Sequence, residues 1–249
     1  MVRLVINLTK LVAGLSLGLA AILILILTGL WLLVARDLPN PRDILARPLS
    51  NCADGTVAQP ADVAKLPEHV REAFIAAEQP DFWTSRATPT MRVFLLIFHR
   101  PATGRGAELS AQLASNQIAE AFPGKGRTLI SHFRVIVQAD RIEFYLTKDE
   151  ILSRVLDWAC YGNKIASLGC ATAFYFAKQP QSLDVGEAAL LAGLLKSPNN
   201  YNPGRNPDRA IERRAQVLDG MVAAGVISAD MARTANATPL HAFKTVKQN

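Results

Sequence analysis

The chain has 249 residues, which is enough for one domain with a sizeable core and a membrane anchor. Its 27 Lys and Arg residues against 21 Asp and Glu residues give a formal net charge of +6, and this modest basic excess suits an anionic partner such as membrane phosphate groups. Because the sequence has neither zinc-finger spacing nor an aromatic and basic nucleic-acid module, we expect no nucleic acid among the partners.

The cysteines give little indication of a framework. Cys52, Cys160 and Cys170 are an odd number and contain no Cys-x-x-Cys pair. This count and spacing indicate neither a disulfide framework nor a metal site. We therefore predict that Cys160 and Cys170 are buried small apolar residues.

The first predicted element is a membrane anchor at residues 11–35. These 25 residues carry no charge and would form a helix of roughly 37 Å at about 1.5 Å per residue, long enough to span a bilayer with tilt. The alternative is a cleavable signal peptide, whose apolar core would be only about 7 to 15 residues long. We therefore favour a retained anchor. Lys and Arg residues flank both of its sides, so the positive-inside rule leaves its orientation open.

A linker and a helix follow the anchor. Residues 36–65 are rich in Pro, Asp and Ala, which predicts a stalk or linker. Pro67 then opens a predicted helix in which Val70 and Phe74 share one face. Glu78 lies at the end of this helix, where a glutamate is ordinarily just solvated.

Two segments in the middle of the chain have both a structural and a functional interpretation. The apolar run at residues 91–99 is too short to span a membrane, and it either belongs to the core or lies at the membrane interface. The sequence PGKGRT at residues 123–128 invites comparison with a phosphate-binding loop. It lacks the Gly that such a loop carries four residues ahead of its Gly-Lys pair, and it lacks the Ser or Thr directly after the Lys. The sequence therefore predicts a turn before a helix.

Residues 146–203 predict the helical core of the domain. The apolar residues of the first helix in this stretch recur at three- and four-residue spacing: Ile151, Leu152, Val155 and Leu156. Asp184 and Glu187 form the pattern of a capping box at the start of a second helix, which is apolar on every side and should be buried. A third helix is predicted from an N-cap at Asn206 to a C-cap at Gly225.

Several long motifs of this stretch carry a resemblance to a known family. KDEIL, YGN, YFAK and SLDVGEAALLAGLLKSPNNYNP resemble the C-terminal half of the peptidoglycan glycosyltransferases, which are the domains of bifunctional penicillin-binding proteins and of monofunctional transglycosylases. NPDRAIERRAQVLDGM continues the match and LPEHVREAFIAAE resumes it upstream, so that it covers most of residues 66–228.

The resemblance implies a mainly α protein of the bacterial inner membrane, with a single transmembrane helix and one two-lobed, lysozyme-like helical domain that faces the periplasm. The implied segments are a cytoplasmic N-terminus at 1–10, the anchor at 11–35, the linker at 36–65, the domain at 66–236 and a tail at 237–249. The implied parent activity is polymerisation of lipid II into glycan strands, in peptidoglycan biosynthesis and cell shape. A divalent cation, Mg²⁺ or Mn²⁺, would assist at the substrate pyrophosphate.

The resemblance also assigns site residues. Glu78 corresponds to the base that takes the proton from the acceptor sugar hydroxyl, at the start of a motif of the form Glu-Asp-x-x-Phe-x-x-His. Here Phe82 is kept, while Gln79 and Ser85 replace the Asp and the His. The implied substrate-binding residues are Ser110, Gln112, Asn116, Arg127 and Arg134, and no side chain is implied as a metal ligand.

Other family positions have lost their chemistry or are interpreted as structural. Ser115 stands where the family has a Lys, and Val135 stands where it has its second acidic residue. Glu143 is predicted to orient its helix by ion pairing. Arg213 and Arg214 are predicted to bond carbonyls or carboxylates of the helical core.

Two hypotheses stay open at this point. The chain is either a glycosyltransferase that acts on lipid II with reduced activity, or a non-catalytic relative that keeps the scaffold and the lipid-facing surface. The second would bind membrane lipid and serve as a scaffolding partner of other cell-wall synthesis proteins. Fold alone does not separate the two.

Overall fold

The computed structural model describes residues 2–49, 52, 55, 58–85, 109–124 and 128–240, and within the first helix it describes the side chains of residues 18, 19 and 21–36. The helices are α1 (Val2–Arg36), α2 (Asp43–Ala46), α3 (Glu68–Glu78), α4 (Leu109–Ala121), α5 (Leu129–Tyr145), α6 (Lys148–Trp158), α7 (Leu168–Phe176), α8 (Val185–Lys196), α9 (Pro207–Ala223) and α10 (Ala229–Ala237). Two short 3₁₀ turns cover Val63–Lys65 and Pro180–Ser182. No β-strand occurs in the described ranges, which confirms the mainly α fold, while the division into two lobes stays a prediction.

Helix α8 lies in the centre of the domain and packs against α3 and α9. The predicted capping box is present, because the Asp184 carboxylate accepts a hydrogen bond from the backbone N–H of Glu187 and the Glu187 carboxylate accepts one from that of Asp184. All residues from Ala188 to Leu194 are buried, as the apolar run predicts. A Cβ atom at Gly193 would lie 3.0 Å from Cγ of Arg213. The glycine therefore allows α9 to approach α8 closely.

The neighbouring helices also follow the sequence pattern. The apolar stripe of α6 is fully buried: Ile151, Leu152, Val155 and Leu156. Helix α6 begins with a capping box between Thr147 and Glu150. Helix α9 is followed by Gly225 at a φ of 74°, the left-handed conformation that a glycine adopts easily after a helix. The buried stripe of α6 and the N-cap of α9 at Asn206 are thus confirmed, whereas the C-cap of α9 is Ala224, one residue before the predicted Gly225.

Helix α1 joins the domain at its C-terminal end. Trp31, Val34 and Ala35 pack against a small apolar cluster of Leu38, Ile118 and Val137. Among the residues whose side chains are described, no helix is both long enough and apolar enough to cross a membrane. The transmembrane anchor at residues 11–35 thus stays a prediction.

Part of the segment that the sequence predicts as a linker contributes to the domain core. Ile44 of α2 and Val63 of the first 3₁₀ turn are buried in the main apolar cluster together with Ala58 and Ala61. The apolar spacing that signals a long helix is missing from this irregular segment, so its burial could not be read from periodicity. The boundaries given to the linker and the domain stay predictions.

Cys170 is buried as predicted, but the structure contradicts the rest of the interpretation of the cysteines. Cys52 and Cys170 form a disulfide with a Cα–Cα distance of 5.3 Å, across a sequence separation of 118 residues. Cys160, predicted to be buried, is an exposed free thiol. The pairing depends on the segment before the core folding back onto α7, which no cysteine spacing indicates.

Candidate functional site

Glu78, the predicted base, is the last residue of α3 and is half-buried. Burial raises the pKa of its carboxyl above the usual value, and the positive charges of Arg213 and Lys196 oppose this effect. Arg213 is fixed there by a hydrogen bond from its Nη2 to the carbonyl of Ala77, at 3.3 Å. The carboxyl group is thus partly removed from water and lies within electrostatic reach of two cations.

The two residues that replace the Asp and the His of the family motif are bonded to each other. Nε2 of Gln79 donates a hydrogen bond to Oγ of Ser85 at 2.9 Å. Oε1 of Gln79 accepts one from the backbone N–H of Leu109 at 3.1 Å. Gln79 is buried, and it joins the end of α3 to the first residue of α4. These positions therefore carry a structural connection next to Glu78.

Helix α4 carries three of the predicted substrate-binding residues. Ser110 is fully buried, and its Oγ forms no hydrogen bond with any described residue. Gln112 is half-buried and Asn116 is exposed. Because they are four residues apart on one helix, Gln112 and Asn116 share a face. The structure thus brings Gln112 and Asn116 together, whereas Ser110 lies in the core.

Of the two predicted arginines, the structure describes only Arg134. Arg127 lies outside the described residues. Arg134 of α5 is half-buried, and its guanidinium lies over the ring of Phe122 at 4.1 Å from the centroid, which is the geometry of a cation–π contact. Arg134 is thereby held against the end of α4.

The resemblance assigns the position of the family's second acid to Val135. Its side chain is partly buried and packs against both apolar clusters, the main core and the small cluster beside α1. A carboxylate there would lose water on an apolar surface. Ile130, by contrast, is 61% exposed near the start of α5. The helix turns its first two residues to solvent before it reaches the core.

The predicted structural charges are confirmed. Glu143 forms an ion pair with Lys148, with 2.6 Å between Oε2 and Nζ. Nη2 of Arg214 donates to the backbone carbonyls of Asn236 and Thr238, at 2.6 Å and 3.0 Å. Arg213, in addition to its bond with Ala77, lies within electrostatic reach of Glu78, so it also belongs to the candidate site.

Sequence reasoning missed Lys196 and Asp157. Lys196 is the last residue of α8, and its charge lowers the pKa of Glu78. Asp157, near the end of α6, is buried, and this burial raises the pKa of its carboxyl to about 6. The charges of Asp157 and Glu78 both raise the pKa of Tyr161, after the larger effect of burial, so both carboxylates lie within electrostatic reach of its hydroxyl. The sequence signal that could have identified Asp157 is its position directly after the buried apolar stripe of α6.

The divalent cation implied by the resemblance stays a prediction. In the described ranges, no three His, Cys, Asp or Glu side chains form a group that could hold a metal ion. The described side chains alone therefore do not fit a protein-held metal.

Known proteins resemble this chain over most of its helical part. Residues 46–222 match the profile of the family described as Transglycosylase. Penicillin-binding protein 1A of Escherichia coli (strain K12) is 33% identical over 173 residues, which cover 68% of this chain and 20% of that protein. Penicillin-binding protein 1F of Bacillus subtilis (strain 168) is 30% identical over 186 residues, which cover 73% of this chain and 26% of that protein. The chain thus spans only between about a fifth and a quarter of the length of these relatives.

Solved structures also align with the chain. Among them is the crystal structure of penicillin-binding protein 1A from Haemophilus influenzae, with a TM-score of 0.42 and 20% sequence identity. The alignment covers 78% of this chain and 21% of that chain.

Proposed function

The chain belongs to the transglycosylase family, and we propose that it acts as a membrane-anchored peptidoglycan glycosyltransferase on lipid II, at a reduced rate. The observation that carries this proposal is the state of Glu78. It is half-buried, its pKa is raised by burial, and two cations lie within electrostatic reach. A base works best when its pKa lies near the operating pH, and partial burial moves a carboxylate in that direction.

In the proposed reaction, Glu78 accepts the proton of the acceptor sugar hydroxyl. The hydroxyl oxygen then forms its bond to the anomeric carbon of the donor, and the bond from that carbon to the lipid pyrophosphate breaks. The charges of Arg213 and Lys196 favour the carboxylate form of Glu78 over the acid and so oppose the effect of burial on its pKa. The rate is reduced because Ser115 and Val135 supply neither the cation nor the second carboxylate of the parent site.

A second candidate function has its own observation. Val135 is packed into both apolar clusters and is not merely a polar position that lost its charge. A non-catalytic relative that binds lipid and serves as a scaffold for other cell-wall synthesis proteins would keep this packing and would need no second acid. Membrane lipid, and lipid II or a glycan strand, would then be its ligands.

We place the helical domain on the periplasmic side of the bacterial inner membrane, behind a single anchor at residues 11–35. The exposed side chains of α1 include many large apolar ones: Leu19, Ile22, Leu23, Ile24, Leu25, Ile26, Leu30, Leu32 and Leu33. Such a helix surface suits a lipid environment. The disulfide between Cys52 and Cys170 supports the placement, since disulfides persist in oxidising compartments such as the periplasm.

The deciding experiment compares four proteins in one assay of lipid II polymerisation, with the full chain in detergent. They are the wild type, Glu78→Gln, Val135→Glu and the control Glu68→Gln, which makes the same change at an exposed position of the same helix. We expect slow wild-type polymerisation, a loss of about 10² to 10⁴ in rate for Glu78→Gln, and little effect of Glu68→Gln. Turnover that survives Glu78→Gln would refute Glu78 as the base. Lipid II binding without turnover in any variant would favour the scaffold.

A further inference from the structure

A cavity of about 800 Å³ opens where the C-terminal end of α1 meets the end of α5 and the start of α6. Its size lies within the usual range for small-molecule sites, which is about 300 to 1,000 Å³. The side chains that give it chemical character are Trp31, Arg36, Arg141, Phe144 and Tyr145. None of them is among the predicted site residues. We call this space the anchor cavity, because α1 carries the predicted anchor.

The apolar side of the anchor cavity is open to the surface. Phe144 of α5 is 81% exposed, and Leu32 of α1 is 59% exposed. Tyr145 is also exposed, and its ring lies edge-on to that of Phe144, with 5.1 Å between the centroids. Large apolar side chains that are exposed together indicate a surface that contacts another molecule. An apolar ligand can therefore reach this side of the cavity.

Two guanidinium groups of the cavity can still donate hydrogen bonds. Arg36 is exposed and bonds no residue that the structure describes. Arg141 is half-buried, and its Nη1 donates to the carbonyl of Pro39 at 3.1 Å and to Oε1 of Gln138 at 3.0 Å. Its Nε and Nη2 bond no described residue and are not fully buried. A phosphate group is a strong acceptor for such N–H groups.

The acidic groups of the cavity do not cancel this positive charge. Glu143 forms an ion pair with Lys148, with 2.6 Å between Oε2 and Nζ. The carboxylate oxygens of Asp140 have no accessible surface, so a ligand cannot contact them. Among the described lining residues, three cations stand against two carboxylates, which leaves one positive charge. The anchor cavity thus favours an anionic ligand over a neutral or a cationic one.

The anchor cavity lies where the apolar surface of α1 ends. Leu32 and Leu33 are exposed, and the next charged residue of the chain is Arg36. Trp31 and Tyr145 line the cavity at this level, and these two residue types are enriched where a membrane meets water. If residues 11–35 span the membrane, the cavity is level with the lipid head groups on the side of the domain.

We propose that the anchor cavity binds one anionic phospholipid. Its phosphate accepts hydrogen bonds from Arg36 and Arg141, and the start of its acyl chains packs on Leu32 and Phe144. The lipid contacts α1 and α5 together, so it holds the helical domain in one orientation relative to its anchor. The proposal rests on the membrane anchor of the proposed function and is independent of its chemical reaction.

The test is native mass spectrometry of the full chain released from detergent micelles. The micelles contain equal amounts of phosphatidylglycerol and phosphatidylcholine with the same acyl chains, so that the two lipids differ in their head groups and net charge. Arg36→Gln removes an exposed guanidinium of the cavity, and Phe144→Ala removes its exposed ring. The matched controls are Arg209→Gln on α9 and Met231→Ala on α10, both at exposed positions that do not line the cavity.

We expect the wild type to retain one phosphatidylglycerol per chain in preference to phosphatidylcholine. Arg36→Gln should weaken retention of phosphatidylglycerol about fivefold, which is the usual contribution of one basic residue beside an anionic lipid. Phe144→Ala should weaken retention of both lipids, because it removes apolar contact that does not depend on charge. The two controls should retain as much lipid as the wild type. Equal retention of the two lipids by the wild type would overturn the proposal, and so would equal losses for Arg36→Gln and Arg209→Gln.

Further measurements on the same preparations exclude other occupants. Displacement of phosphatidylglycerol by an equimolar amount of lipid II would overturn the proposal, because it would assign the cavity to the substrate. A dimer that Phe144→Ala dissociates would also overturn it, because a second copy of the chain would then cover the apolar side.

An assay of lipid II polymerisation separates this proposal from the proposed function. Selective retention of phosphatidylglycerol by a wild type that does not polymerise lipid II would support the lipid site and refute the enzymatic function. Polymerisation without selective retention would refute the lipid site alone.

Discussion

The buried carboxyl of Asp157 should make the stability of the protein depend on pH in a way that one substitution removes. Burial is the largest effect on its pKa, which lies at about 6 in the folded protein against 3.8 for a free side chain. The folded state therefore holds a proton on Asp157 between about pH 4 and about pH 6 where the unfolded state has lost it. The stability that this bound proton contributes to the folded state is fully present below about pH 4 and is lost as the pH rises through about 6.

The size of this effect follows from the two pKa values. One pKa unit corresponds to about 1.4 kcal/mol, so the rise from 3.8 to about 6 gives about 3 kcal/mol as an upper bound. Arg154, on the same helix, and the hydrogen bond from Ala61 both lower the pKa, and the value of about 6 already includes them. Glu120 and Arg47 line the same cavity as Asp157 and form an ion pair, so their opposite effects on the pKa of Asp157 largely cancel.

The assay compares unfolding free energies of the wild type, Asp157→Asn and the control Asp219→Asn, which removes one negative charge at an exposed position of α9. They are measured by denaturant titration in detergent, at about pH 4.5 and about pH 7.5. Other titrating groups are common to all three proteins and cancel in the differences. Relative to the wild type, the unfolding free energy of Asp157→Asn should be about 2 kcal/mol higher at the higher pH than at the lower one. The difference between Asp219→Asn and the wild type should be the same at both pH values. Parallel curves for Asp157→Asn would refute the inference that this carboxyl is desolvated.

Three further predictions concern the scaffold of the site. Cys52→Ser removes the disulfide that closes a loop of 118 residues, so it should lower the free energy of unfolding by about 2 to 5 kcal/mol. It should also abolish the difference in gel mobility between the reduced and the non-reduced protein. An unchanged stability would mean that the bond does not form. Gly193→Ala places a Cβ atom 3.0 Å from Arg213 and should destabilise the protein by about 1 to 3 kcal/mol in denaturant titration, whereas a neutral result would show that α9 can move away. Gln79→Leu leaves the N–H of Leu109 without its acceptor and should cost about 1 to 3 kcal/mol, more than Ser85→Ala, and the reverse order would contradict the central position of Gln79.

Local rules explain how much of this fold could be predicted from the sequence. The start of α8 was predictable because Asp184 and Glu187 satisfy each other's backbone N–H groups within one turn. The buried faces of α6 and α9 were predictable because an apolar stripe has to find a core. Each of these features needs only residues that are close in the sequence.

The features that could not be predicted depend on residues far apart in the chain. The disulfide joins Cys52 to Cys170 only because the irregular segment after α1 folds back onto α7. The burial of Asp157 likewise depends on where Ala61 and α4 lie relative to α6. Neither spacing nor periodicity carries this information, and the family motifs do not mark Asp157 as a site residue. Burial had to be seen before the chemistry could be inferred.

The replaced motif residues bear on which of the two functions the fold supports. If the site were only decaying, the residues at the two replaced motif positions next to Glu78 would be left without hydrogen bonds. Instead, Gln79 and Ser85 bond each other and Gln79 also caps the start of α4. Val135 likewise completes the packing between two apolar clusters. These substitutions stabilise a scaffold in which Glu78 keeps its half-buried position beside Lys196 and Arg213. Burial of that carboxyl is unfavourable by itself, so its position within reach of two cations agrees with the proposed role of Glu78 as a base.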